Sequence, residues 1–99
     1  MCGSPGYVAP EILRKKGCDS KSDIFSLGVI FYNLLTGRAL FPGDDMEEVL
    51  HRNAKLDLSL AKKHIRELPN HARELLLSMI SGDPYLRPTA KEALLHPFF

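Results

Sequence analysis

The feature that most constrains the fold is the segment 24–35, whose apolar side chains cover almost every face of the helix it predicts. A helix that is hydrophobic all round is a core helix rather than a surface helix. Ser26, Gly28 and Asn33 interrupt the segment, which is also too short to span a bilayer. Little of a 99-residue chain remains to surround such a helix. The sequence therefore predicts that other protein segments pack against it.

The remaining patterns also predict helices, each bounded by recognisable start and stop residues. The predicted helices cover 9–15, 21–36, Asp44 or Asp45 to about Arg52, one short helix within a winding loop over 53–68, Pro69 to just before Gly82, and Thr89 to Leu95. Ser20 with Asp23 and Thr89 with Glu92 resemble capping boxes. No segment predicts a strand. We therefore expect an all-α fold of five to six helices around the central hydrophobic helix, within one domain over 1–99.

Charge and cysteine content exclude several classes of protein. The formal net charge is only +1, which argues against a nucleic-acid binder and against a polybasic membrane-surface segment. The first residues lack the basic start and apolar centre of a signal peptide. Cys2 and Cys18 are then expected to be reduced thiols in a reducing compartment. We expect an intracellular, cytoplasmic protein that binds neither nucleic acid nor membrane.

Three stretches are specific, and they occur in a fixed order. Residues 3–11 read GSPGYVAPE, residues 23–28 read DIFSLG, and residues 83–90 read DPYLRPTA, followed by HPFF at 96–99. They resemble the end of the activation segment, the start of the central large-lobe helix and the end of the domain in protein kinases. Phe25 stands where that family usually has Trp. The resemblance covers the whole chain and implies the C-terminal part of a kinase large lobe.

The residues of the first stretch indicate the serine/threonine class. Ser4 and Tyr7 fit the pattern of those kinases, whereas tyrosine kinases usually carry a basic residue and Trp before the A-P-E. The stretch is most similar to the calcium/calmodulin-dependent group. Asn33, after Tyr32, departs from kinases that prefer basic substrates, which often have Glu there. This residue puts an arginine-reading pocket in doubt.

The resemblance implies a role for each matched residue. Gly3, Ser4, Pro5, Gly6 and Tyr7 would form the wall that receives the peptide substrate next to the phosphorylated residue. Glycine and proline suit a backbone that turns tightly close to a peptide. The Ser4 hydroxyl would bond the Asp and Lys of a catalytic loop that this sequence lacks.

The resemblance to kinases also implies structural roles for three charged residues. Glu11 and Arg87 would form a buried ion pair that ties the activation segment to the lobe, a geometry suited to a planar guanidinium. Asp23 would anchor the catalytic loop through backbone N–H groups. Without that loop, capping its own helix is the role that remains to Asp23.

The groups that handle ATP are absent from the sequence. It contains no glycine-rich phosphate loop, no strand lysine, no H-R-D and no D-F-G. ATP and Mg²⁺ belong to the complete domain, and we expect no cofactor site, no metal site and no catalytic residue in this chain. The four histidines show no metal-ligand spacing, and Lys62, Lys63 and Arg66 are expected to form a solvated face.

Two hypotheses follow. The first is a fragment of a serine/threonine kinase that keeps part of the peptide platform, needs the missing N-terminal kinase segments, and is inactive alone. The second is a non-catalytic module that uses the lobe remnant to bind a protein. A helix-turn-helix DNA binder is disfavoured by the charge balance. In either case the outer face of the central helix should leave an apolar patch exposed.

Overall fold

The fold is a bundle of short helices arranged around one long helix. The computed structural model describes residues 6–13 and 20–99. The elements within those ranges are α1 (Pro10–Leu13), α2 (Ser20–Thr36), α3 (Met46–Ala54), α4 (Lys62–Arg66), α5 (Asn70–Met79), a 3-10 helix (Pro84–Leu86) and α6 (Ala90–Leu94). No strand occurs in these ranges. The predicted all-α class with five to six helices is confirmed.

Side-chain caps explain where several helices begin. Asp45 Oδ1 accepts the N–H of Glu48 at 2.8 Å, so Asp45 is the N-cap of α3. Thr89 and Glu92 form the predicted capping box of α6, with both reciprocal hydrogen bonds present. Ser20 is already helical, so the box proposed for Ser20 and Asp23 is wrong. The predicted continuation of α1 through residues 14 and 15 lies outside the described residues.

One side of α2 forms the main core. Phe25, Val29 and Tyr32 are at most 1% exposed and pack with residues of the loop after α2, of α4 and of α5. The spacing of these three residues places them on one face of the helix. Beside them, α2 crosses α5 at Gly28, where an added Cβ would lie 2.9 Å from Ile80 Cγ2 and from Met79 Cβ. Glycine is what allows the two helices to approach so closely.

Another face of α2 is open. Leu27, Ile30 and Leu34 are 51%, 44% and 80% exposed. The apolar patch that the sequence predicts on the outer face of the central helix is therefore present. We call these three residues with Leu94 and Phe99 the apolar face; they line a cavity of about 380 Å³. No helix in the described part of the chain is long and apolar enough to cross a bilayer.

Candidate functional site

A buried carboxylate and guanidinium meet where α1 packs against the rest of the molecule. Arg87 Nη1 donates to Glu11 Oε2 at 2.6 Å, and Arg87 Nη2 donates to Glu11 Oε1 at 2.9 Å. The geometry is bidentate, which is the strongest form of this interaction. The Arg87 side chain is fully buried and that of Glu11 is 10% exposed. The structure thus brings together two residues that lie 76 positions apart in the sequence.

Two further N–H groups of Arg87 also donate hydrogen bonds. Its Nε donates to the Ser81 carbonyl at 2.9 Å, and Nη1 donates to the Lys21 carbonyl at 3.0 Å. The guanidinium carbon lies 4.9 Å from the centroid of the Phe25 ring, a cation–π distance. Phe25 therefore supplies the aromatic face at the position where the family usually has Trp. One arginine connects α1, α2 and the segment before the 3-10 helix.

Glu11 is held in its charged form. Burial on its own would raise the pKa of Glu11, but hydrogen bonds from Arg87 and Ser22 and the charge of the guanidinium outweigh it. The pKa therefore lies below its ordinary value. Ser22 Oγ donates to Glu11 Oε2 at 2.9 Å, which fixes the carboxylate against the first turn of α2.

The loop before α1 is joined to α2 by two further hydrogen bonds. Ser26 Oγ donates to the Tyr7 carbonyl at 2.7 Å, and Asn33 Nδ2 donates to Tyr7 Oη at 2.8 Å. Gly6 has φ of +86°, a backbone conformation that favours glycine. Of the five predicted substrate residues, Gly6 and Tyr7 lie in this loop, whereas Gly3, Ser4 and Pro5 lie outside the described residues.

The structure gives less information about the other predicted residues. Asp23 lies in the first turn of α2, is exposed, and has no side-chain partner among the described residues. A cavity of about 330 Å³ opens beside Tyr7 and Asn33. In the described ranges, no three His, Cys, Asp or Glu side chains converge as a metal site would require.

The bond between Asn33 and Tyr7 was not predicted from the sequence. Nothing in the spacing of two polar residues 26 positions apart indicates that they meet. The available signal was that Asn33 is a polar residue within an otherwise apolar helix. Buried or half-buried polar side chains in such helices usually have a partner.

Comparison with known proteins is consistent with this geometry. A protein-family model for the protein kinase domain matches residues 1–99. Over 98 residues the chain is 43% identical to the Plasmodium falciparum protein named "Probable serine/threonine-protein kinase 2", and 36% identical to a calcium/calmodulin-dependent protein kinase of Emericella nidulans. The matches include 99% of this chain but only 19% and 24% of those relatives.

Solved kinase structures share the fold. The twitchin kinase region of C. elegans superposes with a TM-score of 0.84 at 27% identity, over 94% of this chain and 16% of that one. The autoinhibited serine kinase domain of titin superposes with a TM-score of 0.82 at 26% identity, over 95% of this chain and 29% of that one.

The chain belongs to the protein kinase domain family. Its helices correspond to the C-terminal part of the large lobe of a serine/threonine kinase, and the proteins that it matches are kinases. The predicted family and class are confirmed, including similarity to a calcium/calmodulin-dependent kinase.

Proposed function

We propose that residues 1–99 form part of the peptide-substrate platform of a serine/threonine protein kinase domain, and that this chain transfers no phosphate by itself. The observation that carries the proposal is the anchoring of the loop before α1. Two hydrogen bonds join Tyr7 to α2, and the buried pair of Glu11 and Arg87 follows four residues later. A loop fixed at two points can present its backbone to an extended peptide in a constant position.

The individual roles belong to the same proposal. Gly3, Ser4, Pro5, Gly6 and Tyr7 contact the substrate next to the phosphorylated residue. Asp23, with its exposed carboxylate, accepts N–H groups of the catalytic loop in the complete domain. Glu11 and Arg87 touch no substrate and position the loop. The partners are then a protein or peptide substrate and the N-terminal segments of the kinase domain.

ATP and Mg²⁺ are expected in the complete domain, as in other kinases. The residues of this chain do not fit them: the sequence has neither H-R-D nor D-F-G, and it has no strand lysine. Phosphoryl transfer depends on those groups for positioning and charge stabilisation. We therefore assign no cofactor contact to this chain. Family membership supports an intracellular location, and we propose the cytoplasm as the compartment.

The exposure of the apolar face favours the proposal that further kinase segments pack against this chain. It consists of large side chains that remain exposed although they belong to the central helix and its neighbours. An exposed apolar patch of this kind marks an interaction surface. We propose that the preceding part of the kinase domain covers it. In the alternative, an unrelated protein covers it and the chain is a non-catalytic module.

Two assays on the purified chain test the proposal. We expect no phosphorylation of serine peptides in the presence of ATP and Mg²⁺, but saturable binding of fluorescent serine peptides measured by anisotropy. Glu11→Ala should weaken that binding because the loop loses its anchor. The matched control is Glu47→Ala, which removes an exposed acid from α3.

The outcomes separate the possibilities. Measurable turnover would overturn the claim of inactivity. Absence of binding by any serine peptide would overturn the platform and favour the interaction module.

A further inference from the structure

A groove between α4 and α5 lies apart from the surfaces described above. Arg73 and Leu77 of α5 line this groove, whereas Leu75 and Met79 of the same helix line the cavity of the apolar face. Helix positions two residues apart point about 200° away from each other, so the two surfaces lie on different sides of α5. A kinase segment packed on the apolar face is therefore separated by α5 from this α4–α5 groove.

The apolar part of the α4–α5 groove consists of Leu58, Ile65 and Leu77. Leu77 is 44% exposed although it belongs to a helix whose other side packs against the core. The groove has a volume of about 510 Å³, which lies within the range of about 300–1,000 Å³ usual for ligand pockets. It therefore has room for a large apolar side chain that removes these three residues from water.

The charged residues that line the groove are all cations, namely Lys62, Arg66 and Arg73. Lys62 and Arg66 are four positions apart, which places them on the same face of α4 as Ile65. Both are exposed, as the sequence predicts for a solvated face. In the described part of the chain, none of the three cations forms a salt bridge.

Hydrogen bonds hold the Arg73 guanidinium across the end of α4. Its Nη1 donates to the carbonyls of Arg66 at 3.1 Å and Leu68 at 3.4 Å. Its Nη2 donates to Asn70 Oδ1 at 2.6 Å. These acceptors are neutral, so they orient the guanidinium without cancelling its charge. Because arginine has five N–H donors, it can also donate to a carboxylate.

Among the described residues that line the groove, none is acidic. Asp57, Glu67 and Glu74 are next to lining residues in the sequence, but they do not line the groove themselves. Asp57 Oδ1 instead accepts the N–H and the hydroxyl of Ser59, at 3.1 and 2.6 Å. The groove therefore combines positive charge with an apolar surface, and it is complementary to a ligand that is both apolar and anionic.

We propose that the α4–α5 groove docks a segment of a partner protein in which one large apolar side chain is flanked by Asp or Glu residues. The apolar side chain packs on Leu58, Ile65 and Leu77, and the carboxylates face the three cations. A membrane surface is less suited, because anionic lipids attract clusters of about 4–8 Lys or Arg residues rather than three around a groove. The proposal is independent of the peptide platform, since the loop before α1 does not line the groove.

The test measures fluorescence anisotropy with the full chain and a short labelled peptide in which Phe is flanked by Asp and Glu. The peptide contains no Ser, Thr or Tyr, so it cannot be a kinase substrate. We expect saturable binding that weakens as salt is added, because salt screens exposed charges. Two comparison peptides, one with Ala in place of Phe and one with Lys in place of the acids, should bind more weakly.

Charge reversal locates the binding site. The double variant Lys62→Glu with Arg66→Glu should bind the acidic peptide about tenfold more weakly, the ratio that about 1.4 kcal/mol produces. The matched control is Lys55→Glu with Lys91→Glu, which changes the net charge equally at exposed lysines outside the groove. It should bind nearly as well as wild type.

Leu77→Ser is the second variant, because it removes part of the apolar lining without changing the charge. It should weaken binding severalfold, whereas Leu95→Ser, at an exposed leucine outside the groove, should not. Circular dichroism establishes that each variant is folded.

Acidic-peptide binding that persists in the folded groove variants would overturn the α4–α5 groove as the docking site. Absence of saturable binding to the wild-type chain would overturn the proposal altogether. If the wild-type chain then sedimented with phosphatidylserine vesicles, the cations would be assigned to a membrane surface instead. Neither result would affect the peptide platform, which the serine peptides test.

Discussion

Arg87 shows how much of this fold depends on single side chains. Its guanidinium makes four hydrogen bonds, to one carboxylate and two carbonyls, while fully buried. A buried charge of this kind is stable only when its partners are all present. Replacing both members of such a pair by apolar residues is often far less harmful than removing one.

This argument predicts the outcome of a double-mutant cycle. Glu11→Leu and Arg87→Met should each lower the free energy of unfolding by roughly 3–5 kcal/mol, because each leaves an unpaired buried charge. The double variant should lose less than the sum of the two. Urea denaturation followed by circular dichroism measures all three. The control is Glu48→Ala, which breaks a partly exposed pair with Arg52 and should cost about 0.3–0.5 kcal/mol.

The stability that the Glu11 carboxylate contributes depends on pH, and the sign of this dependence follows from its pKa. Its pKa is lower in the folded state, so the unfolded chain binds more protons at acid pH. The stabilisation is complete above the ordinary glutamate pKa of about 4.3 and is lost as the pH falls through the lower folded pKa. The stability difference between wild type and Glu11→Gln should therefore shrink with acidity in that window. A constant difference would contradict the assigned role of the charge.

At the scale of elements, the contact of α2 with α5 depends on Gly28. The residue looks like a weak point in a helix, since glycine is a poor helix former. Its position against Ile80 and Met79 shows the reason, because any side chain there would meet theirs at 2.9 Å.

We predict that Gly28→Ala destabilises the protein by about 1–3 kcal/mol in spite of the better helix propensity of alanine, because the added methyl group overpacks the interface. Thermal and urea unfolding measure this. Leu34→Ala, on the exposed side of the same helix, is the control and should have little effect. A Gly28→Ala protein as stable as wild type would mean that the two helices separate at little cost.

Local patterns predicted the helices well and their contacts poorly. Thr89 could be recognised as a cap, and Asp44 or Asp45 as the cap of α3, because capping bonds join residues three positions apart. Glu11 and Arg87 could be paired only through the resemblance to kinases, since no local rule joins residues so distant. Asn33 and Tyr7 were not paired at all. Ser20 was misplaced because a serine with an acid three residues later fits a position inside the first turn as well as it fits a cap.

At the scale of the whole molecule, the apolar face sets the behaviour in solution. Leu27, Ile30 and Leu34 form one side of a helix whose other side is fully buried. The free energy gained by the hydrophobic effect is roughly proportional to the apolar area removed from water. This face therefore favours association with other apolar surfaces.

We predict that the isolated chain binds a fluorescent hydrophobic dye and scatters light at high concentration. Changing Leu27, Ile30 and Leu34 together to serine should reduce both signals without loss of helicity. Changing Met46 and Tyr85 to serine, which are exposed at other positions, is the control. A monodisperse wild-type chain with no dye binding would show that this face is covered in solution.

The ion pair between Glu11 and Arg87 also constrains the order of events during synthesis. Arg87 is the 76th residue that the ribosome adds after Glu11. During that time the nascent loop can form the Tyr7 contacts with α2 but not its buried anchor. Closing so long a segment carries an entropic cost that helices formed in between reduce. The loop that positions the proposed substrate is therefore among the last parts of the chain to acquire its final stability.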